Sequence, residues 1–459
     1  MSDLLRIFNI GRKALSAHQS AMNTAGHNIA NVNTKGYSRQ RVNLTASRPQ
    51  FTPRGIFGSG VDIESVERVR NKFIDQQLSQ ERPSVGQYEF LTDSLQSVED
   101  VFNEPSEFGL NRAMEDFFNA FQDLANDPES ASARVVLKNK ALTLASGFNR
   151  VQRQLSDLNK QLNQELQVKV DEMNRLGSEI AELNKKIASF ELGGSEASDF
   201  RDQRDLLIDQ LAKLINIKTN ENEAGVLSVT AGSRFLVVDT RVQKFALQTS
   251  SEDSTGPQVV SESGGQVVDI ASGSLKGLLQ ARDEYIPDYL SRLDLLAQIV
   301  ASEVNTRHRS GYNLAGETNV NFFNDGITGA ADFAVTEEIS NRPELIATAS
   351  EPNKPGDNST ALAIAGLQND SLMQDGTASL SDFYNGLLTD VGSQKQEASK
   401  FKENFSLFVE KLEANRESIS GVSLDEEMTN LITSQHAFTA AARFIATVDE
   451  MTQTILDML

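Results

Sequence analysis

The residues of this chain that could do chemistry are four histidines and 64 aspartates and glutamates, with no cysteine at all. His18, His27, His308 and His436 form no H-x-x-x-H or H-E-x-x-H arrangement, and no thiolate is available to complete a metal site. The missing cysteines also remove disulfides and cysteine nucleophiles. Neither a Gly-x-Ser-x-Gly elbow nor a G-x-x-x-x-G-K-[ST] loop occurs. Gly55 to Gly60 is glycine-rich, but it lies between a Pro-marked loop and a strand pattern. It lacks the helix a phosphate cradle requires and reads as plain loop. Asp325-Gly326 resembles a fragment of a calcium loop without the alternating oxygen ligands. Carboxylates are so abundant that any two could be posed as an acid–base pair, so they carry no specificity. Asp202-Gln203-Arg204-Asp205 reads as a solvated helix face with local i,i+3 pairing. His18 and His436 fall on or beside helix seams and read as packing or interface residues. The expectation is a protein that is not an enzyme and holds no metal or cofactor.

The bulk properties agree with that. A chain of 459 residues has a prior of roughly three domains and ample length for a sizeable core. A net charge of −21 argues against a nucleic-acid partner, whose phosphates are neutralised by Lys and Arg. It suits a chain that stays soluble and unassociated before assembly. No run approaches the ~20 apolar residues of a membrane span, so no membrane partner is expected. Met1-Ser2-Asp3 lacks the basic start of a secretory signal, which leaves a dedicated export channel as a route out of the cell.

Two elements at opposite ends organise the rest. Leu424, Met428, Leu431, Gln435, Phe438, Ala442 and Ile445 fall at alternating steps of four and three, with Val448 following. That spacing is the seam of a helix lying along another helix. Ser423 and Glu426 predict a capping-box start, and no Pro or Gly interrupts the run to Leu459. Leu4, Phe8, Gly11, Leu15, His18, Met22, Ala25, Ile29 and Val32 repeat the spacing at the other end. Gly11, His18 and Ala25 stand where a stable solitary coiled coil would carry Leu or Ile. The pair is therefore expected to be marginal alone and ordered by packing, with its seam as an assembly interface, although the spacing fits the closing helices of a monomer equally well. Phe438 and Ile455, with the seam residues above, belong to that interface.

Between the ends, Asn31, Asn33 and Gly36 form a turn after the first helix. Residues 41–70 read as an extended connector, with strand-like alternation at Arg41 to Leu44 and Val61 to Val66 and a loop marked by Pro49 and Pro53. Helical spacing returns from Lys72 to Phe121, with expected breaks at Pro83 and Pro105. One stripe, Leu155, Leu158, Leu162, Leu166, Val170, Met173, Leu176, Ile180, Leu183 and Ile187, predicts a long helix from about Ser132 to Phe190. A further helix covers Asp199 to Ile217. Residues 219–271 then read as strands and hairpins, with Ser250 to Gly265 a polar loop and Val267 to Ile270 a last strand. Helix resumes at Ser274 despite Pro287, residues 311–360 read as irregular surface, and a last long helix runs from about Ser381 through Arg416. The fold expected is mainly α with a small β-rich insertion, in nested discontinuous domains. Residues 1–45 plus 421–459 form the terminal helix pair, 46–218 plus 272–420 a helical core, and 219–271 the insertion.

Asn28-Ile29-Ala30-Asn31-Val32-Asn33-Thr34-Lys35-Gly36-Tyr37-Ser38 is similar to the N-terminal signature of the axial proteins of the bacterial flagellum. Leu431, Gln435, Ala437, Phe438 and the run from Ala441 to Asp449 look like the matching C-terminal signature. Within that group, Gly36-Tyr37-Ser38-Arg39-Gln40 resembles the hook-associated form, since rod and hook proteins more often have Phe after the Gly. Gly58-Ser59-Gly60-Val61 with Ser65, Val66, Arg68 and Arg70 resembles the next block of the hook-associated protein 1 family. Asp202 to Asp205, Asp382-Phe383-Tyr384 and Ser420 to Glu427 resemble later ones. Lys35 stands where Pro is frequent, and a large outer domain after Gly311 is missing. The resemblance implies a structural component joining hook to filament, exported by the flagellar type III apparatus and assembled outside the cell as a ring of identical subunits. It implies as partners the chain itself, the hook protein, a second junction protein (hook-associated protein 3), and an export chaperone at the C-terminal region. The alternative is another axial protein, hook or distal rod; the Pro-free helical stripe from Leu155 to Ile187 argues against it.

Overall fold

The computed structural model describes residues 2–52, 55–102, 109–249 and 256–457, without the side chains of 2–4, 52 and 456. The side chain of Leu4, the loop marker Pro53, the expected break at Pro105, residues 250–255 of the polar loop, and the last two residues of the terminal helix lie outside the described residues.

The chain folds mainly into helices. Helix α1 (Ser2–Ala30) leads into a β ribbon of β1 (Gln40–Ala46), β2 (Gln50–Thr52), β3 (Gly55–Phe57) and β4 (Val61–Arg68). Strands β1 and β4 pair antiparallel from Gln40↔Arg68 to Ala46↔Val61, with a register shift at Asn43/Leu44. Lys13 of α1 donates to Ser47 at 2.9 Å and pairs with Asp62 at 2.8 Å, which fastens the ribbon to α1. The ribbon thus belongs with the terminal helices rather than with the helical core assigned to residues from 46 onward.

Helices α2 (Lys72–Phe102), α3 (Leu110–Asn126), α4 (Ala131–Glu191) and α5 (Ser198–Leu214) follow. Pro83 does not break α2. It is buried within one continuous helix, and the hydrogen bond it forgoes is offset by packing of α2 against neighbours on several sides. Beside it, Arg82 pairs with Asp209 of α5 and with Glu413. Helix α4 has 61 residues, about 90 Å at 1.5 Å per residue. Its stripe from Leu155 to Ile187 faces inward as the spacing predicts, Leu158 being only partly covered.

Residues Ile217–Glu221 (β5), Leu227–Ala231 (β6), Arg234–Val238 (β7) and Arg241–Val242 (β8) make an antiparallel sheet in that order, and Phe245–Gln248 (β9) pairs with Gln258–Ser261 (β10). The expected strand over Val267–Ile270 is reduced to one bridge, Val260↔Val267. The N–H groups of Asp269 and Ala271 donate instead to the side chains of Ser233 and Asn216, which ends the ladder. The sheet has no core of its own. Val229, Leu236, Val237 and Phe245 pack into the same apolar interior as α4. Asn184 of α4 brackets it by donating to the carbonyls of Leu227 and Asp239 at 2.7 and 2.6 Å.

Helix α6 (Ser274–Gln280) continues through a π turn at Ala281–Tyr285 into α7 (Ile286–Ser310). The π turn lies directly before Pro287, where the ring removes a donor, and so lets one helical path continue. Residues 311–360 are irregular, with short α8 (Glu337–Asn341) and the start of α9 (Ser359–Gly366), but only part of them is surface. Phe322, Phe323, Phe333, Ile339 and Ile346 are fully buried. Phe322 packs 5.7 Å from Phe117 of α3, and Phe333 packs 4.7 Å from Phe148 of α4. Each such ring contributes about 1.5–3 kcal/mol of burial, enough to fold a segment with little regular structure. Asn305 of α7 holds it by donating to the Phe323 carbonyl and accepting from the N–H groups of Phe322 and Phe323, all at 2.9 Å. Helix α10 (Leu380–Ser420), with a capping box at Ser379 and Asp382, returns along α2, and α11 (Leu424–Asp457) runs antiparallel to α1.

Candidate functional site at the root of the terminal helices

In α11 the buried side runs through Glu427, Leu431, Ser434, Phe438, Ala441, Ile445, Val448 and Thr452, again in steps of four and three. Leu431, Phe438, Ile445 and Val448 are the expected seam residues. The other half of the seam is shifted by one position, so Met428 is 48% exposed, and Leu424 and Ile455 near the two ends of the helix are 48% and 42% exposed. On α1, Leu15, Met22 and Ile29 are partly covered, Phe8 is largely exposed, and Gly11, Ala25 and Asn28 are buried. Gly11 is not a gap in the seam. A side chain there would meet Ile445 at 2.6 Å, so its lack of one is what lets the two helices close.

The shift has a polar cause. Asn28 is 1% exposed and spends its whole amide at the root of the pair. It donates to the Gln40 carbonyl at 2.9 Å and to Glu427 at 3.0 Å, and accepts from the Tyr37 hydroxyl at 2.7 Å and the Gln40 N–H at 2.9 Å. Burying Glu427 requires these partners and the Arg39 guanidinium at 2.9 Å. That turns Glu427, rather than Met428, toward α1. Tyr37 is held protonated as the donor, because burial and then the carboxylates of Asp199, Asp202 and Glu427 push its pKa up. The capping box expected at Ser423 and Glu426 is only half formed. The Ser423 hydroxyl lies 3.5 Å from the Glu426 N–H, while the Glu426 carboxylate takes Arg39 at 2.7 Å.

The signature loop is folded by the same logic. Asn31 donates to the His27 carbonyl at 3.0 Å and accepts from Thr34 at 3.1 Å, and Asn33 remains exposed. Gly36 takes φ +82°, which favours glycine, and lies on Leu206 of α5. Gln40 donates to Asp199 at 2.9 Å, and His27 lies 3.3 Å from the same carboxylate.

Ser38 and Asp202 carry the contact to the body. Ser38 donates its N–H at 2.8 Å and its hydroxyl at 2.7 Å to the two oxygens of Asp202. Arg68 at the end of β4 pairs with Asp202 and Asp205 at 2.8 Å and with Glu196 at 3.1 Å. Arg70 pairs with Asp205 at 2.9 Å and Asp75 at 2.7 Å. Asp202–Asp205 is therefore no solvated face. Asp202 and Arg204 are buried and their partners are distant in sequence, with Arg204 donating to Asn184 and the Gly225 carbonyl. Burial raises the Asp202 pKa, its bonds to Arg68 and Ser38 only partly opposing that. Asp205 is desolvated too, but Arg70 and Arg68 outweigh this and hold its pKa down. Arg68 pays a desolvation cost that the two aspartates overrule, so its charge is secured.

Among the histidines, His308 is fully buried. Its Nδ1 donates to the Val320 carbonyl at 2.7 Å, and its Nε2 accepts from the Ala347 N–H at 2.9 Å. Burial pushes its pKa down to about 4, so it is a neutral core residue. Among the described residues, no group of three or more His, Cys, Asp or Glu is placed to hold a metal ion, and no helix is long and apolar enough to cross a membrane. The geometry binds and orients two parts of one chain.

Comparison with known proteins agrees with this division. Residues 95–323 match the model of the flagellar hook-associated protein FlgK helical domain. Residues 8–37 match the flagella basal body rod protein model, and 414–458 the flagellar basal body rod FlgEFG protein C-terminal model. The chain is 33% identical to flagellar hook-associated protein 1 of Bacillus subtilis (strain 168), over 97% of this chain and 96% of that protein. It is 25% identical to the Escherichia coli (strain K12) protein of the same name, over 98% and 99%. The flagellar hook junction protein FlgK of Burkholderia pseudomallei has the same fold, with a TM-score of 0.69 and 16% identity over 75% of this chain and all of that one. Paired ends of rod-protein type around a FlgK-type helical body, with kinship along the whole length, mark this chain as a member of the flagellar hook-associated protein 1 family.

Proposed function

We propose that the chain is a structural component of the bacterial flagellum that joins hook to filament, and that its terminal helix pair is the part that assembles. The carrying observation is that both ends of the chain form one antiparallel pair whose apolar residues are only partly used within the chain. Leu424, Met428 and Ile455 on α11 and Phe8 on α1 are exposed. In a ring of identical subunits outside the cell, these residues pack against neighbouring copies. Hook protein lies on one side of the ring and the second junction protein, hook-associated protein 3, on the other. Its slender seam, with Gly11, Ala25, Ser434 and Ala441, also suits a pair that opens for type III export with a chaperone on the C-terminal region and re-forms on assembly.

The test replaces Phe438, a partly covered seam residue, with Asp in a strain lacking the native protein. The expected result is loss of incorporation and shed filaments, while circular dichroism of the purified chain retains the helical body. Normal incorporation of Phe438→Asp would sink the reading.

A further inference from the structure

Two short crossings join the terminal pair and its ribbon to the body: residues 69–71 between β4 and α2, and 421–423 between α10 and α11. They run side by side, and Arg39 bridges them. Its carbonyl accepts from the Val69 N–H at 2.8 Å, and its own N–H donates to the Ser420 carbonyl at 2.8 Å. Its guanidinium holds Glu426 and Glu427 in the first turn of α11. One residue therefore ties both crossings and the helix that leaves them.

Polar contacts span this joint: Ser38 with Asp202, Gln40 and His27 with Asp199, and Arg68 with Glu196, Asp202 and Asp205. Gly36 lies on Leu206 beside them. Among the described residues, neither α1 nor α11 packs along the length of α2, α5 or α10. On the far side of Arg39, an open groove separates the signature loop at Asn33 and Lys35 from Glu413 and Glu417 of α10. Interdigitated apolar side chains fix an angle, because close packing resists small rotations. Long guanidinium side chains keep their carboxylates through a change of angle, and a neighbouring groove gives room for one.

We propose that this joint is a hinge pivoting at Arg39, with the Ser38–Asp202–Arg68 cluster as its restraint. Copies whose terminal helices pack identically can then present their bodies at different angles. The hinge does not depend on where the protein assembles, so its test and that of the proposed function fail separately.

The chain has no cysteine, so two introduced ones label cleanly in the full-length protein. Spin labels at exposed Thr433→Cys on α11 and Glu172→Cys on α4 report the distance across the joint. A second pair, Glu172→Cys with exposed Glu403→Cys on α10, reports the body alone. At low salt a single narrow distance is expected across the joint. In Arg39→Ala or Asp202→Asn, and in 1 M salt, where the screening length falls to roughly 3 Å, that peak is expected to broaden while the body distance is unchanged. An unchanged width across the joint in both variants would overturn the hinge. So would equal broadening of both pairs, which would make the cluster part of the body's core.

Discussion

The terminal pair and the body are both helical, yet they use their apolar residues in opposite ways. In the body, α4 turns Leu166, Val170, Met173, Leu176 and Ile180 to full burial, and Phe117, Phe121, Phe322 and Phe323 form a closed aromatic cluster. In the pair, the most buried positions include Gly11, Ala25, Asn28, Glu427 and Ala441, while Phe8, Met428 and Ile432 face out. A region folded for its own stability buries its large side chains. One folded to be completed by others leaves them on its surface.

The largest way to sharpen that contrast is a matched pair of truncations. Phe322→Ala empties a site enclosed by Phe117, Phe121, Phe323 and His308, and is expected to lower the stability of the body by about 3–5 kcal/mol. Phe8→Ala, at an exposed position, is expected to change it by less than about 0.5 kcal/mol. Urea midpoints of the two variants check this directly. Equal losses would mean that the pair is as self-sufficient as the body.

The next effect comes from acid. The folded His308 has its pKa pushed down to about 4 from an ordinary 6.5 by burial. Below pH 6.5 the unfolded chain therefore binds a proton that the folded chain refuses. Its contribution to stability is whole above pH 6.5 and declines as pH falls toward 4, by about 3 kcal/mol in total. His308→Gln is expected to flatten that part of the pH dependence of the body's unfolding midpoint. The helicity of the terminal pair, with no buried histidine, should not follow the same curve.

What could be read from the sequence follows the same division. The long helices and the strands of the β insertion are legible from apolar period, as in the stripe from Leu155 to Ile187, and the seam of α11 only in part. Residues 311–360 were not, because their Gly, Asn and Asp content suggests surface while three phenylalanines and the brackets from Asn305 and Asn149 bring them inside. Asp202 to Asp205 failed likewise, since local charge pattern does not reveal partners such as Ser38, Arg68 and Arg70 elsewhere in the chain. The resemblance of that same block to the family was the signal that could have found it. On α11 the hydrophobic pattern favoured Met428, and a buried hydrogen-bonding partner for Glu427 overruled it. Polar groups that are buried only because a distant residue satisfies them are invisible to periodicity.

The smallest effect on stability is also the one with the most to say about the pair. Leu424, Met428 and Ile432 recur at every fourth residue and so lie on one exposed flank of α11. Met428→Ser with Ile432→Ser removes apolar surface already in water, so the unfolding midpoint should move by less than about 0.5 kcal/mol. If a neighbouring copy covers that flank, the same change forfeits burial of two large side chains at each contact. A loss of about 3 kcal/mol per contact corresponds to roughly 10²-fold in association. Purified double variant should therefore match the parent in urea and fail to hold filaments on hooks in cells. Full motility with an unchanged midpoint would show that this flank stays in water even when assembled. The outward apolar residues of the pair would then be ordinary surface, and its difference from the body would be one of packing density alone.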